Sequence, residues 1–167
     1  KRLQVFAQGI YEDANSSVKK VEVLARLQDA SGRLQPPSFF IPVAEKFNII
    51  DAVDKYMLSS AVETLAASQK SVQIAVNISG AFINKEDAAD FILQMLHDHQ
   101  VSPRLLCLEI TESSAINNLD ATIAFMKRLH DPGCQFSLDD FGTGTSSYEY
   151  LKKLPIDSVK IDGMFVR

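Results

Sequence analysis

The chain has 167 residues, with 17 basic and 21 acidic side chains and a formal charge of −4. That length suits one domain able to bury a core, and 46% hydrophobic with 23% charged residues excludes global disorder. No apolar run reaches the ~18–20 residues of a membrane span, and a negative chain without a basic cluster argues against a nucleic-acid polymer as partner. The start, Lys1-Arg2-Leu3-Gln4, carries neither an apolar signal region nor an initiator Met, so the expectation is a cytoplasmic piece cut from a longer chain. Cys107 and Cys134 lie in apolar, strand-like runs without metal-site spacing and read as reduced, buried thiols.

Residues 3–11 and 19–28 read as two strands joined through a polar turn at 12–17. Residues 29–37 read as a longer loop. Helices are expected over 37–47 and 51–68, with Asp51 as the N-cap of the second and Val53, Met57, Leu58, Ala61 and Leu65 on one face. A β-branched strand follows at 72–78, then a helix at 86–99 with Phe91, Ile92, Met95 and Leu96 as its stripe. A strand at 105–110, a helix at 120–130 ended by Asp131-Pro132-Gly133, a strand at 135–138, a short helix at 146–151 and a strand at 158–161 complete the series. From residue 72 onward strands and helices alternate, which predicts a parallel sheet with right-handed crossovers. The sheet is either open and doubly wound or part of a (β/α) barrel. The lack of a Gly-x-Gly-x-x-Gly turn argues against a dinucleotide-binding unit.

Polar groups recur at the carboxyl ends of these strands. Glu22 lies in the second strand, Asn77 closes the third, Glu109 and Glu112 flank the end of the fourth, Asp139 and Asp140 follow the fifth, and Lys160 lies in the last. In an α/β barrel that edge is the catalytic face. Carboxylates and an amide are all-oxygen donors, which suit Mg²⁺ or Mn²⁺. Taken singly, each has a plainer reading: Asn77 as a turn residue, Asp139-Asp140 as a helix cap, Lys160 as a partner of Asp162. The repetition at one relative position on successive strands favours a site. Two shorter matches carry less. Asp140-Phe141-Gly142 equals the kinase metal-binding tripeptide but lacks the other kinase motifs, and His97-Asp98 sits near a helix end without a partner His.

The motifs taken together resemble the EAL domain, the bacterial cyclic di-GMP phosphodiesterase family. Glu22-Val23-Leu24 stands for the signature tripeptide, followed by Arg26. Pro37-x-x-Phe40-Ile41-Pro42-x-Ala44-Glu45, Asn77-Ile78-Ser79, Glu109-Ile110-Thr111-Glu112, Asp139-Asp140-Phe141-Gly142-Thr143-Gly144-x-Ser146-Ser147 and Leu154-Pro155-Ile156-Asp157-x-x-Lys160-Ile161-Asp162 follow in family order. Two departures stand out. The family's Gln-Pro-Ile reads Gln8-Gly9-Ile10, and the chain stops at Phe165-Val166-Arg167, before the family's Ala-Glu-Gly-Val-Glu and Gln-Gly motifs.

The resemblance implies a (β/α)8 TIM-like barrel with an antiparallel first strand, of which residues 1–167 form about the first six strands. It implies two-metal hydrolysis of cyclic di-GMP to linear pGpG with Mg²⁺ or Mn²⁺. Glu22, Asn77, Glu109 and Asp139 would hold the first ion, and Asp139 would bridge to a second served by Asp140. Lys160 would position the attacking water, Glu112 would fix the loop carrying the two aspartates, and Gln8, Leu24 and Arg26 would line the nucleotide site. A homodimer through this domain and fusion to a sensor or GGDEF domain are implied as well. The alternative is an inactive EAL domain that serves as a cyclic di-GMP receptor or interaction module; no ligand is lost within these residues, which favours the enzyme. The isolated 167 residues are expected to be inactive or nearly so, because the family supplies a further carboxylate from its later strands.

Overall fold

The computed structural model describes residues 2–11, 17–68, 72–142 and 149–165. Strands β1 (Leu3–Ile10) and β2 (Lys20–Gln28) pair antiparallel, with Gln8 opposite Glu22. Most of the turn between them, 12–16, lies outside the described residues. The expected loop 29–37 holds a further short strand, β3 (Leu34–Gln35), which folds back on β2. The reversal is tied by Asp29, whose carboxylate accepts the Ser31 and Arg33 amides, the Ser31 hydroxyl and the Gln35 side-chain amide.

Helices α1 (Pro37–Lys46) and α2 (Ile50–Ala67) follow. Asp51 is not the N-cap of α2. Ile49 holds that position without a side-chain cap bond, and Asp51 lies in the first turn, paired with Lys55 at 3.3 Å and Lys85 at 3.1 Å. The cause is Asn48, whose φ of 55° turns the chain directly from α1 into α2 and leaves no capping loop.

The remainder runs β4 (Gln73–Asn77), α3 (Gly80–Ile83), α4 (Ala88–Asp98), β5 (Leu106–Thr111), α5 (Glu112–Asn117), α6 (Leu119–His130), β6 (Gln135–Phe141) and β7 (Ser158–Ile161). Helices α3 and α5 are additions to the sequence reading, started by Ser79 and Thr111 as N-caps. Of the short helix expected over 146–151, residues 146–148 lie outside the described residues and 149–151 form turns.

Among the described residues the sheet has seven strands in the order β1-β2-β4-β5-β6-β7, with β3 beside β2. From β2 to β7 every neighbouring pair on that path is parallel. Central strands buried on both faces read as apolar runs, and β5 follows the rule: Leu106, Leu108 and Ile110 are fully buried. They meet the inward faces of the helices through Leu58, Val62, Ile92, Leu96, Met126 and Leu129.

One ion pair measures the curvature of this sheet. Strands β2 and β7 are four steps apart, roughly 19 Å in a flat sheet at ~4.8 Å per step. Yet Lys160 on β7 reaches Glu22 on β2 at 3.1 Å. Two side chains span that contact only if the sheet is curled. The chain is an α/β fold whose sheet bends like the wall of a TIM-type barrel.

Candidate active site

Parallel strands place their carboxyl ends on one edge, so residues distant in sequence meet there. Asn77 ends β4 directly opposite Glu109 on β5, and Thr111 stands opposite Asp139 on β6. The Lys160 ammonium donates to Glu109 Oε2 at 2.7 Å, Glu22 Oε2 at 3.1 Å and Asp139 Oδ2 at 3.3 Å. The Asn77 amide nitrogen donates to Glu22 Oε1 at 2.9 Å, leaving its carbonyl oxygen as an acceptor. Five of the expected site residues, from five strands, thus form one cluster. The plainer pairing of Lys160 with Asp162 gives way to it.

The electrostatics follow from burial. Glu109 has 1% of its surface exposed. Its burial raises its pKa and Glu22 raises it further, while the Lys160 hydrogen bond pulls the other way. For Lys160, burial alone lowers the pKa, but the hydrogen bond and charge of Glu109 outweigh it and the net shift is upward. Three carboxylates against one ammonium leave a net deficit of positive charge.

Two observations bear on a metal. Glu109 Oε1 is buried and has no hydrogen-bond partner, although the other oxygen of the same carboxylate is held by Lys160. An orphaned buried carboxylate oxygen beside an amide oxygen and two further carboxylates is a donor set suited to a hard dication. As they stand, these carboxylates converge on an ammonium, and among the described residues no three acidic, His or Cys groups enclose a metal position of their own. The residues therefore fit a divalent cation in type and charge, with Lys160 ceding part of its contacts as the ion enters.

Strand β6 is irregular where it carries the aspartates. Leu138 pairs with Val159 and Phe141 with Ile161, so β6 spends one more residue than β7 over the same span. Asp140 sits in this bulge at φ 55°, with its amide donating to Asp139 Oδ1 at 3.0 Å. It is exposed, and partial burial together with Asp139 raises its pKa. Glu112 lies outside the cluster: its Oε2 accepts the Gly142 amide at 2.9 Å. Residues 143–148 of the long loop motif lie outside the described residues. Gln8 stands on β1 beside Glu22, and the Arg26 guanidinium sits 5.9 Å over the Phe6 ring. The His97-Asp98 pair is exposed at the end of α4, away from these groups.

Next to the cluster lies a cavity of about 440 Å³, with Leu24, Pro37, Ile41, Pro42, Met57 and Ile78 among its apolar lining. Asn77 and Asp140 border it, and Asp54 and Ser79 contribute polar groups. Asp54 carries no motif in the sequence. It lies on the inward face of α2, 4% exposed, and accepts the Ser79 hydroxyl at 2.5 Å and the Ser79 amide at 3.3 Å. The available signal was a carboxylate inside an apolar stripe, between Val53 and Met57. Burial pushes its pKa up to about 7, against the lowering effect of the Ser79 hydrogen bonds.

The comparisons with known proteins agree with this architecture. The EAL domain family matches residues 1–167. The chain belongs to the EAL domain family. It is 36% identical over 157 residues to the cyclic di-GMP phosphodiesterase PdeB of Shewanella oneidensis, covering 92% of this chain and 18% of that protein. It is 32% identical over 169 residues to the cyclic di-GMP phosphodiesterase NbdA of Pseudomonas aeruginosa, covering 99% of this chain and 22% of that one. The structure of the PaMucR phosphodiesterase in complex with c-di-GMP superposes with a TM-score of 0.92 at 33% identity, covering all of this chain and 72% of that one. The EAL domain described here therefore spans about a fifth of the length of these two curated relatives. None of its described helices is long and apolar enough to cross a membrane.

The Asp54 carboxyl makes stability depend on pH. Its folded pKa of about 7 lies above the ordinary 3.8, so between those values the folded state binds more protons than the unfolded state. Stability from this group is full below about pH 4 and is lost as pH rises through 7. Asp54→Asn is expected to melt a few degrees above the parent at pH 8, with the gap closing toward pH 4. Melting curves at the two pH values that show the same gap would contradict this account of Asp54.

Proposed function

We propose that the EAL domain hydrolyses cyclic di-GMP to linear pGpG in a reaction dependent on Mg²⁺ or Mn²⁺. The observation that carries the reading is the cluster of Glu22, Asn77, Glu109, Asp139 and Lys160, with one buried Glu109 oxygen still unpartnered. The family supports it, since relatives that match most of this chain are named cyclic di-GMP phosphodiesterases.

Glu22, Asn77, Glu109 and Asp139 would hold one dication, and Asp139 would share a second with Asp140. Bound there, the ions would lower the pKa of a water and draw charge from the phosphoryl oxygens. The charges are consistent: four carboxylates, one ammonium, two dications and one phosphodiester sum to zero. Lys160 holds Glu22, Glu109 and Asp139 together and gives the attacking oxygen a nearby positive charge. Water oxygen bonds to phosphorus, the bond from phosphorus to one ribose 3′ oxygen breaks, and that oxygen takes up a proton. Glu112 fixes the turn at Gly142 that follows the two aspartates.

The cavity beside the cluster suits one base of the substrate. Its apolar lining takes a planar ring, and Asp54 offers a carboxylate. Guanine presents two adjacent donors, N1–H and N2–H, on its Watson–Crick edge, whereas adenine has no donor at N1. Gln8, Leu24 and Arg26 would serve the rest of the dinucleotide. A homodimer and an attached sensor or GGDEF domain belong to the same proposal.

Two outcomes are expected of the full-length protein. Turnover should require added Mg²⁺ or Mn²⁺, cease with a chelator, and fall at least 100-fold in Glu22→Gln without a matching loss of folding by circular dichroism, since several kcal/mol of charge stabilisation is at stake and ~1.4 kcal/mol is tenfold. Chelator-resistant hydrolysis would overturn the mechanism, and tight binding of cyclic di-GMP without hydrolysis under any metal would favour a receptor. Asp54→Asn should weaken cyclic di-GMP while narrowing the preference over cyclic di-AMP; an unchanged ratio in direct binding would remove Asp54 from base recognition.

A further inference from the structure

The two oxygens of Glu112 hold the chain at two points, Gly142 and Tyr150. Oε2 accepts the Gly142 amide at 2.9 Å, immediately after Asp139-Asp140-Phe141. Oε1 accepts the Tyr150 hydroxyl at 2.7 Å, where the chain returns. Glu112 is 3% exposed and Tyr150 is 8% exposed, so this junction is out of water and both hydrogen bonds are charge-assisted.

The position of Gly142 leaves little tolerance. Its φ is 100°, and a Cβ there would stand 2.8 Å from the Phe165 ring. Asp140, two residues earlier, holds a left-handed φ within the bulge of β6. Backbone of this kind keeps its shape only when its surroundings hold it. The Gly142 amide is held by Glu112, a side chain with three rotatable bonds that is itself at the first position of α5. A second fixed donor on the same carboxylate, the Tyr150 hydroxyl, helps to hold it in one rotamer.

We propose that Tyr150 is a positioning residue of the phosphodiesterase site, acting through Glu112 on Gly142 and from there on Asp139 and Asp140. The inference rests on the proposed phosphodiesterase function for its effect on turnover, though not for its effect on the loop. Tyr150→Phe keeps the ring and removes the donor. One Glu112 oxygen then loses a hydrogen bond in a buried place, and the carboxylate gains freedom to leave Gly142. The chemistry is untouched in kind, so kcat should fall while KM changes little.

The test is a double-mutant cycle in the full-length protein with Tyr150→Phe, Glu112→Gln and the pair, read three ways. Amide exchange at Gly142 is followed by NMR, Mn²⁺ affinity by calorimetry, and kcat and KM with cyclic di-GMP. Tyr150→Phe is expected to speed Gly142 exchange about tenfold, to lower Mn²⁺ affinity and kcat by similar factors, and to melt within a few degrees of the parent. The double variant should be no worse than Glu112→Gln alone, because both changes break one linkage. Unchanged Gly142 exchange, effects that multiply in the double variant, or outright unfolding of Tyr150→Phe would each overturn the assignment. The two readings fail separately. A parent that turns over no cyclic di-GMP while Tyr150→Phe still loosens Gly142 would refute the phosphodiesterase and keep Tyr150 in its role; an active parent with Gly142 unmoved would do the reverse.

Discussion

Glu109 carries a carboxylate in a strand where Leu106, Cys107, Leu108 and Ile110 are all fully buried. Left alone there, an ionised group would cost several kcal/mol. The Lys160 ammonium at 2.7 Å offsets that cost, and it can do so only when β7 lies two strands from β5 and the sheet curls toward β2. Glu22 and Asp139 then share the same ammonium, and Asn77 joins through Glu22. One buried charge is thereby compensated through the same strand order and sheet curvature that bring the site together. The compensation is incomplete, since one Glu109 oxygen is unpartnered, and under the proposed function that is the oxygen a cation would take.

Two other buried carboxylates are handled by different means. Glu112 accepts hydrogen bonds from a backbone amide and a phenol, and through the first of these it holds backbone. Asp54 has the hydroxyl and amide of one serine, and burial raises its pKa to about 7. Ser79 links the two sides of that arrangement. It caps α3, bonds Asp54, and lies two residues beyond Asn77. The helical layer thus reaches the strand ends through one side chain. Replacing Asp54 would relieve the folded state above pH 7 and, under the proposed function, weaken the cavity as a base site, the familiar opposition between stability and function.

Much of this was legible in the sequence because the fold is periodic. The β-branched run before Asn77 and the stripes Met57-Leu58-Ala61-Leu65 and Ile92-Met95-Leu96 carry the strand and helix periods plainly. The strand-end acids were legible for a related reason: parallel strands place their last residues on one edge, so recurrence in sequence becomes convergence in space. Helices α3 and α5 were not, since four and six residues carry no period and only Ser79 and Thr111 announce them as caps. Strand β3 was hidden behind its turn, and Asp51 was displaced as a cap because Asn48 takes the left-handed turn. Asp54 and Tyr150 depend on contacts 25 and 38 residues away, which no local pattern encodes.

Under the proposed function Glu109 is a buried ligand of a divalent cation. Mn²⁺ binding by electron paramagnetic resonance, compared between the parent and Glu109→Gln, tests it without reference to turnover. The substitution keeps the side-chain shape and removes the charge, so the fold can be checked alongside by its melting curve. Glu109→Gln, still folded, is expected to bind Mn²⁺ roughly 100-fold more weakly or worse, beyond the 10–100-fold typical of residues that only support a ligand. Equal Mn²⁺ affinity in the two proteins would contradict it.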